Sequence, residues 1–168
     1  FLLAGLLVAA PVAAAPPERV LVFTKTAKFR HDAIPVAVTT LQRLVVDEGM
    51  AADHTEDARV FTPENLARYR VVVFASTTGD VLEDAQQAAL EAFVRKGSGF
   101  IGVHAAADTE YDWPWYGQLV GAYFQNHPPG LQSTQVQPEK DGKPVGPRWP
   151  ITDELYNYRA NPRGQVQV

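Results

Sequence analysis

Short apolar runs alternate along the chain with segments of helical periodicity, and this alternation constrains the fold more than any other feature. The runs are residues 19–24 (RVLVFT), 71–75 (VVVFA) and 100–103 (FIGV). Their unbroken hydrophobicity is typical of parallel strands that are covered on both faces. Between them, residues 34–45 and 84–96 repeat apolar side chains at helical spacing, and a glycine follows each segment. We therefore predict an α/β fold of three layers, built from right-handed βαβ units.

Three further segments complete the predicted order of elements. Residues 51–55 form a short strand, and Thr62 followed by Pro63 predicts the start of another helix. Residues 113–124 are predicted to be helical, before a stretch rich in proline and glycine at residues 128–150.

Composition excludes several classes of function. The length of 168 residues fits one domain at most. The net charge of -4 and the lack of a basic cluster argue against a nucleic-acid-binding protein. The absence of cysteine excludes a cysteine nucleophile, a cysteine metal ligand and a disulfide.

The first fifteen residues, FLLAGLLVAAPVAAA, are apolar, uncharged and end in an A-x-A-like pattern. These features predict a partial secretory signal peptide at residues 1–15, with the mature domain beginning at Pro16 or Pro17. The protein would then be periplasmic or secreted, without a stable membrane anchor after cleavage. A lipid anchor or a lone membrane helix is the alternative.

His104 stands at the end of the predicted strand 100–103, with Gly102 before it and Ala105 to Ala107 after it. Ligands of open parallel sheets bind outside the carboxyl ends of the strands, so this imidazole is a candidate site residue. The alternative is a packed histidine bonded to a backbone carbonyl.

Two other histidines occur in comparable positions. His31 follows the first strand and precedes the first helix, so it should lie at the same sheet edge as His104; a solvated loop residue is the alternative. His127 follows the predicted helix 113–124, where a cation is favourable on its own account. Three imidazoles could hold a divalent metal, zinc or manganese, although their spacing matches no local signature. The nearby candidate carboxylates are Asp108, Glu110, Asp112, Asp153 and Glu154.

Hydroxyl and aromatic residues near these histidines suit a sugar. Thr77 and Thr78 follow the third strand and could bind sugar hydroxyls, or they could belong to an ordinary turn. Trp113 and Trp115 could stack on sugar rings or pack over the sheet. Tyr156 lies in a polar and aromatic segment that is either functional or a solvated connection.

Four motifs occur in this order: TAKFRHDAI, VVVFASTTGDVL, GSGFIGVHAAADTEYDWPWYGQLVGAYFQNHP and TDELYNYRANPRG. From about Val20 onward the chain thereby resembles the trehalose-utilisation (ThuA-like) family. The resemblance implies a flavodoxin-like parallel sheet, related to class I glutamine amidotransferases, over residues 16–168. It also implies a C-terminally truncated domain, because the family's final strands would follow Val168. Amidotransferase chemistry is excluded, since His104 stands where those enzymes carry a cysteine.

The resemblance implies carbohydrate utilisation, with a small-molecule sugar as partner, either a disaccharide or a keto-sugar. The predicted chemistry is acid–base or metal-assisted, as in a sugar-processing lyase or hydrolase. The predicted catalytic residues are His104, His31, Asp108 and Glu154, and the predicted metal ligands are His31, His104 and His127. The predicted substrate-binding residues are Thr77, Thr78, Trp113, Trp115 and Tyr156. A non-catalytic carbohydrate-binding module or an inactive fragment is the alternative, and a homo-oligomer stays open.

Overall fold

A four-stranded parallel sheet forms the centre of the computed structural model, which describes residues 16–141, 143–153 and 157–160. The signal peptide predicted at residues 1–15 lies outside the described residues. Within the described ranges, no helix combines the length and the hydrophobicity needed to cross a bilayer. The strands, in their order across the sheet, are β2 (Ala51–Thr55), β1 (Arg19–Phe23), β3 (Val71–Ala75) and β4 (Gly99–Val103).

All four strands point the same way. β1 pairs in parallel with β2 and β3, and β3 pairs in parallel with β4. The loops that follow Phe23, Thr55, Ala75 and Val103 therefore leave from one edge of the sheet. This arrangement confirms the predicted strands and brings the loop after β1 to the same edge as His104.

Four helices cover the two faces of the sheet, which confirms the predicted three-layer α/β fold. Val20 and Val22 of β1 pack toward the side of α1, whereas Leu21 and Phe23 pack in the opposite core with the other three helices. This alternation follows from the strand, whose successive side chains point to opposite faces. The helices are α1 (Ile34–Asp47), α2 (Pro63–Leu66), α3 (Asp84–Arg95) and α4 (Pro114–Val120).

The helix predicted over residues 113–124 is wrong at its C-terminal end. α4 stops at Val120 because Gly121 has a φ of 83°, a left-handed conformation that glycine adopts readily. The chain then continues as β5 (Ala122–Asn126), which pairs antiparallel with β10 (Asn157–Ala160). Two short antiparallel pairs lie between them, β6 (Gln132–Val136) with β9 (Trp149–Asp153), and β7 (Glu139–Lys140) with β8 (Lys143–Pro144).

Candidate functional site

His31 and His104 meet at the carboxyl edge of the sheet. Their ring centroids lie 4.5 Å apart, with the ring planes at 68° to each other. The ring of Phe29 packs on His31 at 4.9 Å, so His31 lies between an exposed phenyl ring and the other imidazole. The side chain of His104 is exposed and that of His31 is half-buried. Two imidazoles thus lie together at the surface, an arrangement that suits proton transfer to a small ligand.

The backbone at His104 is strained. Its φ is 53°, in the left-handed region that non-glycine residues rarely adopt. Ser76 and Glu110, in neighbouring loops, have φ values of 54° each. Such strain costs of order 1–3 kcal/mol per residue and tends to cluster at functional sites. At His104 it accompanies the direct change from β4, which ends at Val103, to the 3-10 turn His104–Asp108.

Backbone pairing joins the two histidine loops through the segment after β3. Thr26 pairs with Thr78, and Gly79 pairs with Thr109, each as a parallel bridge. The amide of Ala27 donates to the carbonyl of Thr78 at 2.7 Å, and the amide of Gly79 donates to the carbonyl of Asp108 at 2.7 Å. The loop that carries His31 and the turn that carries His104 are therefore bonded to the same short strip of backbone.

Thr77 and Thr78 were predicted either to contact substrate or to belong to an ordinary turn. Both are fully buried. The Thr78 hydroxyl donates to the carbonyl of Phe29 at 2.7 Å, and the Thr77 hydroxyl lies 2.9 Å from that of Thr109. These hydroxyls thus join loops to each other and are closed to a ligand. The turn reading, which the sequence had left open, describes their chemistry better.

Replacing Thr78 with valine is expected to lower the free energy of unfolding by about 1–2 kcal/mol, because the Phe29 carbonyl loses its donor. The variant T78S should restore most of it. Urea unfolding followed by circular dichroism measures both. Thr39→Val is the matched control, since Thr39 donates to a helix carbonyl at an exposed position; equal losses for T78V and T39V would contradict the prediction.

Glu110 is a buried carboxylate that organises the loop before α3. Its Oε1 accepts the amides of Val81 and Leu82 at 2.7 and 2.8 Å, and its Oε2 accepts the Gln87 side chain at 2.6 Å. Burial raises the pKa of Glu110 above the ordinary 4.5, while these hydrogen bonds act in the opposite direction. Glu110 is 1% exposed, which assigns it to the frame around the site and not to substrate contact.

The other predicted residues are placed less centrally. Asp108 is half-buried, and its Oδ1 accepts the hydroxyl of Tyr111 at 2.6 Å. Trp113 and Trp115 lie against each other with ring centroids 4.9 Å apart, partly buried on the core below α4. Catalytic roles for His104, His31 and Asp108 stay predictions. The predicted residues Glu154 and Tyr156 lie outside the described residues.

The expected set of three metal-binding histidines is not assembled. His127 follows β5 and lies against Phe124, at 6.1 Å between ring centroids, with its Nδ1 2.9 Å from the carbonyl of Pro128. Throughout the part of the chain that the structure describes, no group of three or more histidine, cysteine, aspartate or glutamate side chains could hold a metal ion. The reason is the strand β5, which carries His127 away from the helix end where it was predicted.

Sequence reasoning missed two features of this edge. His54, at the end of β2, has its Nε2 2.7 Å from the Thr24 hydroxyl. Arg30 makes a two-pronged ion pair with Glu56 at 2.7 and 3.1 Å, which holds the pKa of that carboxyl below its usual value. His54, at the end of β2, and Glu56, in the loop after it, could have been predicted at this edge. Every strand of a parallel sheet delivers its C-terminal residues to one edge.

A cavity of about 220 Å³ opens beside His104. Phe100 and Leu119 provide apolar walls, and Gly102 keeps the strand side open because it has no side chain. A Cβ atom at Gly102 would approach the Cβ of Ala106 to 3.2 Å. The arrangement places His104 on the wall of a small cavity, with His31 in contact with its ring, which suits acid–base chemistry on a compact substrate.

Comparison with known proteins identifies the family. The family model ThuA, described as trehalose utilisation, matches residues 19–168. A thua-like protein from Bacteroides uniformis superposes with a TM-score of 0.71 at 22% identity, over 93% of this chain and 67% of that one. A thua-like protein from Parabacteroides merdae gives a TM-score of 0.55 at 19% identity, over 84% of this chain and 49% of that one. A search of curated proteins returned no match.

The two solved structures establish a shared fold, because their identities are too low to carry more than that. This chain spans about half to two thirds of their lengths. The family model, in contrast, covers nearly all of the described sheet and its loops. The protein therefore belongs to the ThuA family of trehalose utilisation.

Proposed function

We propose that this protein is an exported, sugar-processing member of its family that acts on a keto-sugar, with His104 and His31 as its acid–base pair. The observation that supports this most is the contact between the two imidazoles, 4.5 Å between centroids, at the sheet edge where ligands of parallel sheets bind. The family description supplies the substrate class, a sugar.

The proposed reaction begins with removal of a proton from the carbon beside the carbonyl of the keto-sugar. One imidazole accepts that proton, the electron pair of the C–H bond forms a carbon–carbon double bond, and the π electron pair of the carbonyl moves to its oxygen to give an enolate. The second imidazole donates a hydrogen bond to this oxygen as its charge grows. The first imidazole can then return its proton to the same carbon. Alternatively, the enolate re-forms the carbonyl and its carbon–carbon electron pair makes a new double bond to the next carbon; the C–O bond there breaks, and the imidazole protonates the departing sugar oxygen.

The contacts of the carboxylates near His104 favour a carbonyl substrate over direct hydrolysis of a glycosidic bond. Glycoside hydrolysis ordinarily uses two opposed carboxyl groups. Here the buried carboxylate Glu110 is bonded to two backbone amides, and Asp108 accepts from Tyr111. The exposed His104 and the half-buried His31 instead offer imidazoles, which commonly act as the base or acid in proton transfer.

Deuterium exchange tests the proposal. The full chain is incubated with a panel of keto-disaccharides in D₂O, and ¹H NMR follows loss of the proton beside the carbonyl. We expect exchange, or cleavage that depends on it, well above a protein-free control. If every keto-sugar binds without faster exchange, the carbohydrate-binding module becomes the better description. If none binds or exchanges, the sugar assignment is wrong.

A further inference from the structure

A second cleft is built on the loops that carry the two imidazoles. Its volume is about 290 Å³, and it is lined by Lys28, Tyr111, Phe124 and Gln125. Lys28 belongs to the loop that carries His31 and precedes that histidine by three residues. Tyr111 follows the turn that begins with His104. The cleft and the imidazole pair are thus built on the same two loops, with β5 as an additional wall.

The aromatic side of this cleft is firmly placed. The hydroxyl of Tyr111 lies 2.6 Å from Asp108 Oδ1 and 2.8 Å from the carbonyl of Phe124. Its ring stacks on the buried Tyr123 at 4.9 Å between centroids, with an interplanar angle of 26°. Tyr111 is therefore a fixed wall of the cleft, and the half-buried Phe124 beside it supplies a ring of the kind on which the C–H face of a sugar packs.

The cation of the cleft is differently placed from its neighbours. Lys25 donates to the carbonyl of Val81 at 2.8 Å, and Arg30 is paired with Glu56. The ammonium of Lys28 instead lies over the Tyr111 ring, 5.2 Å from its centroid. An aromatic ring attracts a cation without neutralising its charge, so Lys28 can still pair with an anion.

We infer that this cleft binds a sugar ring that bears a carboxylate. The sugar ring would pack on Phe124 beside Tyr111, the Gln125 amide would bond to a hydroxyl, and the Lys28 ammonium would pair with the carboxylate. Asp108, at the hydroxyl end of Tyr111, disfavours an anion there and so directs the carboxylate to the Lys28 end. This inference rests on the proposed function, because it specifies which sugar the site accepts.

Binding measurements with D-glucuronate and D-glucose test the inference. Titration calorimetry or NMR on the full chain should give a Kd for glucuronate about threefold to fivefold lower than for glucose, as expected for a solvent-accessible charge pair. Lys28→Met keeps the apolar stem of the side chain and should abolish the difference. Lys96→Met, an exposed position at the far edge of the sheet after α3, is the control and should leave the difference intact.

Equal affinities for the two sugars, or a preference that survives in K28M, would overturn the inference. This result is separable from failure of the proposed function. The variant H104N should keep the preference for glucuronate while it loses deuterium exchange on keto-sugars. Exchange without a charge preference would refute only the cleft, whereas a charge preference without exchange would refute only the acid–base proposal.

Discussion

Replacement of His104 by asparagine is expected to slow deuterium exchange on a keto-sugar by about 10²- to 10⁴-fold, the usual contribution of a positioned acid or base. Asparagine suits this test because it tolerates the left-handed backbone, as His104 does with its φ of 53°. The substitution therefore removes the imidazole while it leaves the turn after β4 in place. NMR exchange rates at saturating substrate measure the effect.

His54→Gln is the matched control for that experiment. His54 is also an imidazole at the carboxyl edge, but it lies on β2 and contacts Thr24. Its replacement should change the exchange rate by less than about threefold. A second variant, His104→Gly, should be more stable than the unaltered chain by up to about 1 kcal/mol and still inactive, because glycine relieves the strain. An H104N protein as active as the unaltered chain would refute the role of this residue.

Replacement of Glu110 by alanine is expected to lower the free energy of unfolding by about 2–4 kcal/mol, because two buried backbone amides lose their acceptor. Those amides belong to Val81 and Leu82, each bonded to Oε1 within 2.8 Å. Denaturant unfolding followed by circular dichroism measures the loss. The surface variant Glu91→Ala, which breaks the exposed pair with Arg95, should cost at most about 0.5 kcal/mol.

The pH dependence of stability is expected to reveal Glu110 as a buried acid. Its pKa is raised in the folded chain, so the folded state binds the proton more tightly than the unfolded state. Its contribution to stability is full below about pH 4.5 and is lost as the pH rises through the folded pKa. The pKa values of Asp53 and Glu56 are lowered, so their contributions to stability are lost only as the pH falls below the ordinary values of these carboxyl groups. E110Q should flatten the dependence of the unfolding free energy on pH above pH 4.5. An unchanged dependence would contradict this assignment.

The sequence was sufficient to place the two central histidines. Parallel strands share an edge, so the positions of His31 and His104 relative to β1 and β4 were enough to predict that they meet. The strands could be predicted because an unbroken hydrophobic run is typical of a parallel strand buried on both faces. These are consequences of local pattern and of one topological rule.

The roles of the hydroxyl and carboxylate residues could not be predicted in this way. Thr78 donates to Phe29, 49 residues earlier in the chain, and Glu110 accepts from an amide 29 residues earlier. A polar residue in a loop gives no sign of which distant backbone group it meets. The predicted helix 113–124 was wrong at its C-terminal end, where Gly121 adopts a left-handed conformation and the chain continues as β5, paired with the distant residues 157–160.

The backbone bridges between Thr26, Thr78, Gly79 and Thr109 have a consequence for how a ligand is received. Ordering a mobile loop around a ligand reduces affinity, since the entropy of the loop is lost at the moment of binding. Here that entropy is lost earlier, when the polypeptide folds and the two imidazole-bearing segments become one rigid unit. A substrate would then meet a preorganised groove, and its binding energy would remain available for lowering the barrier to reaction.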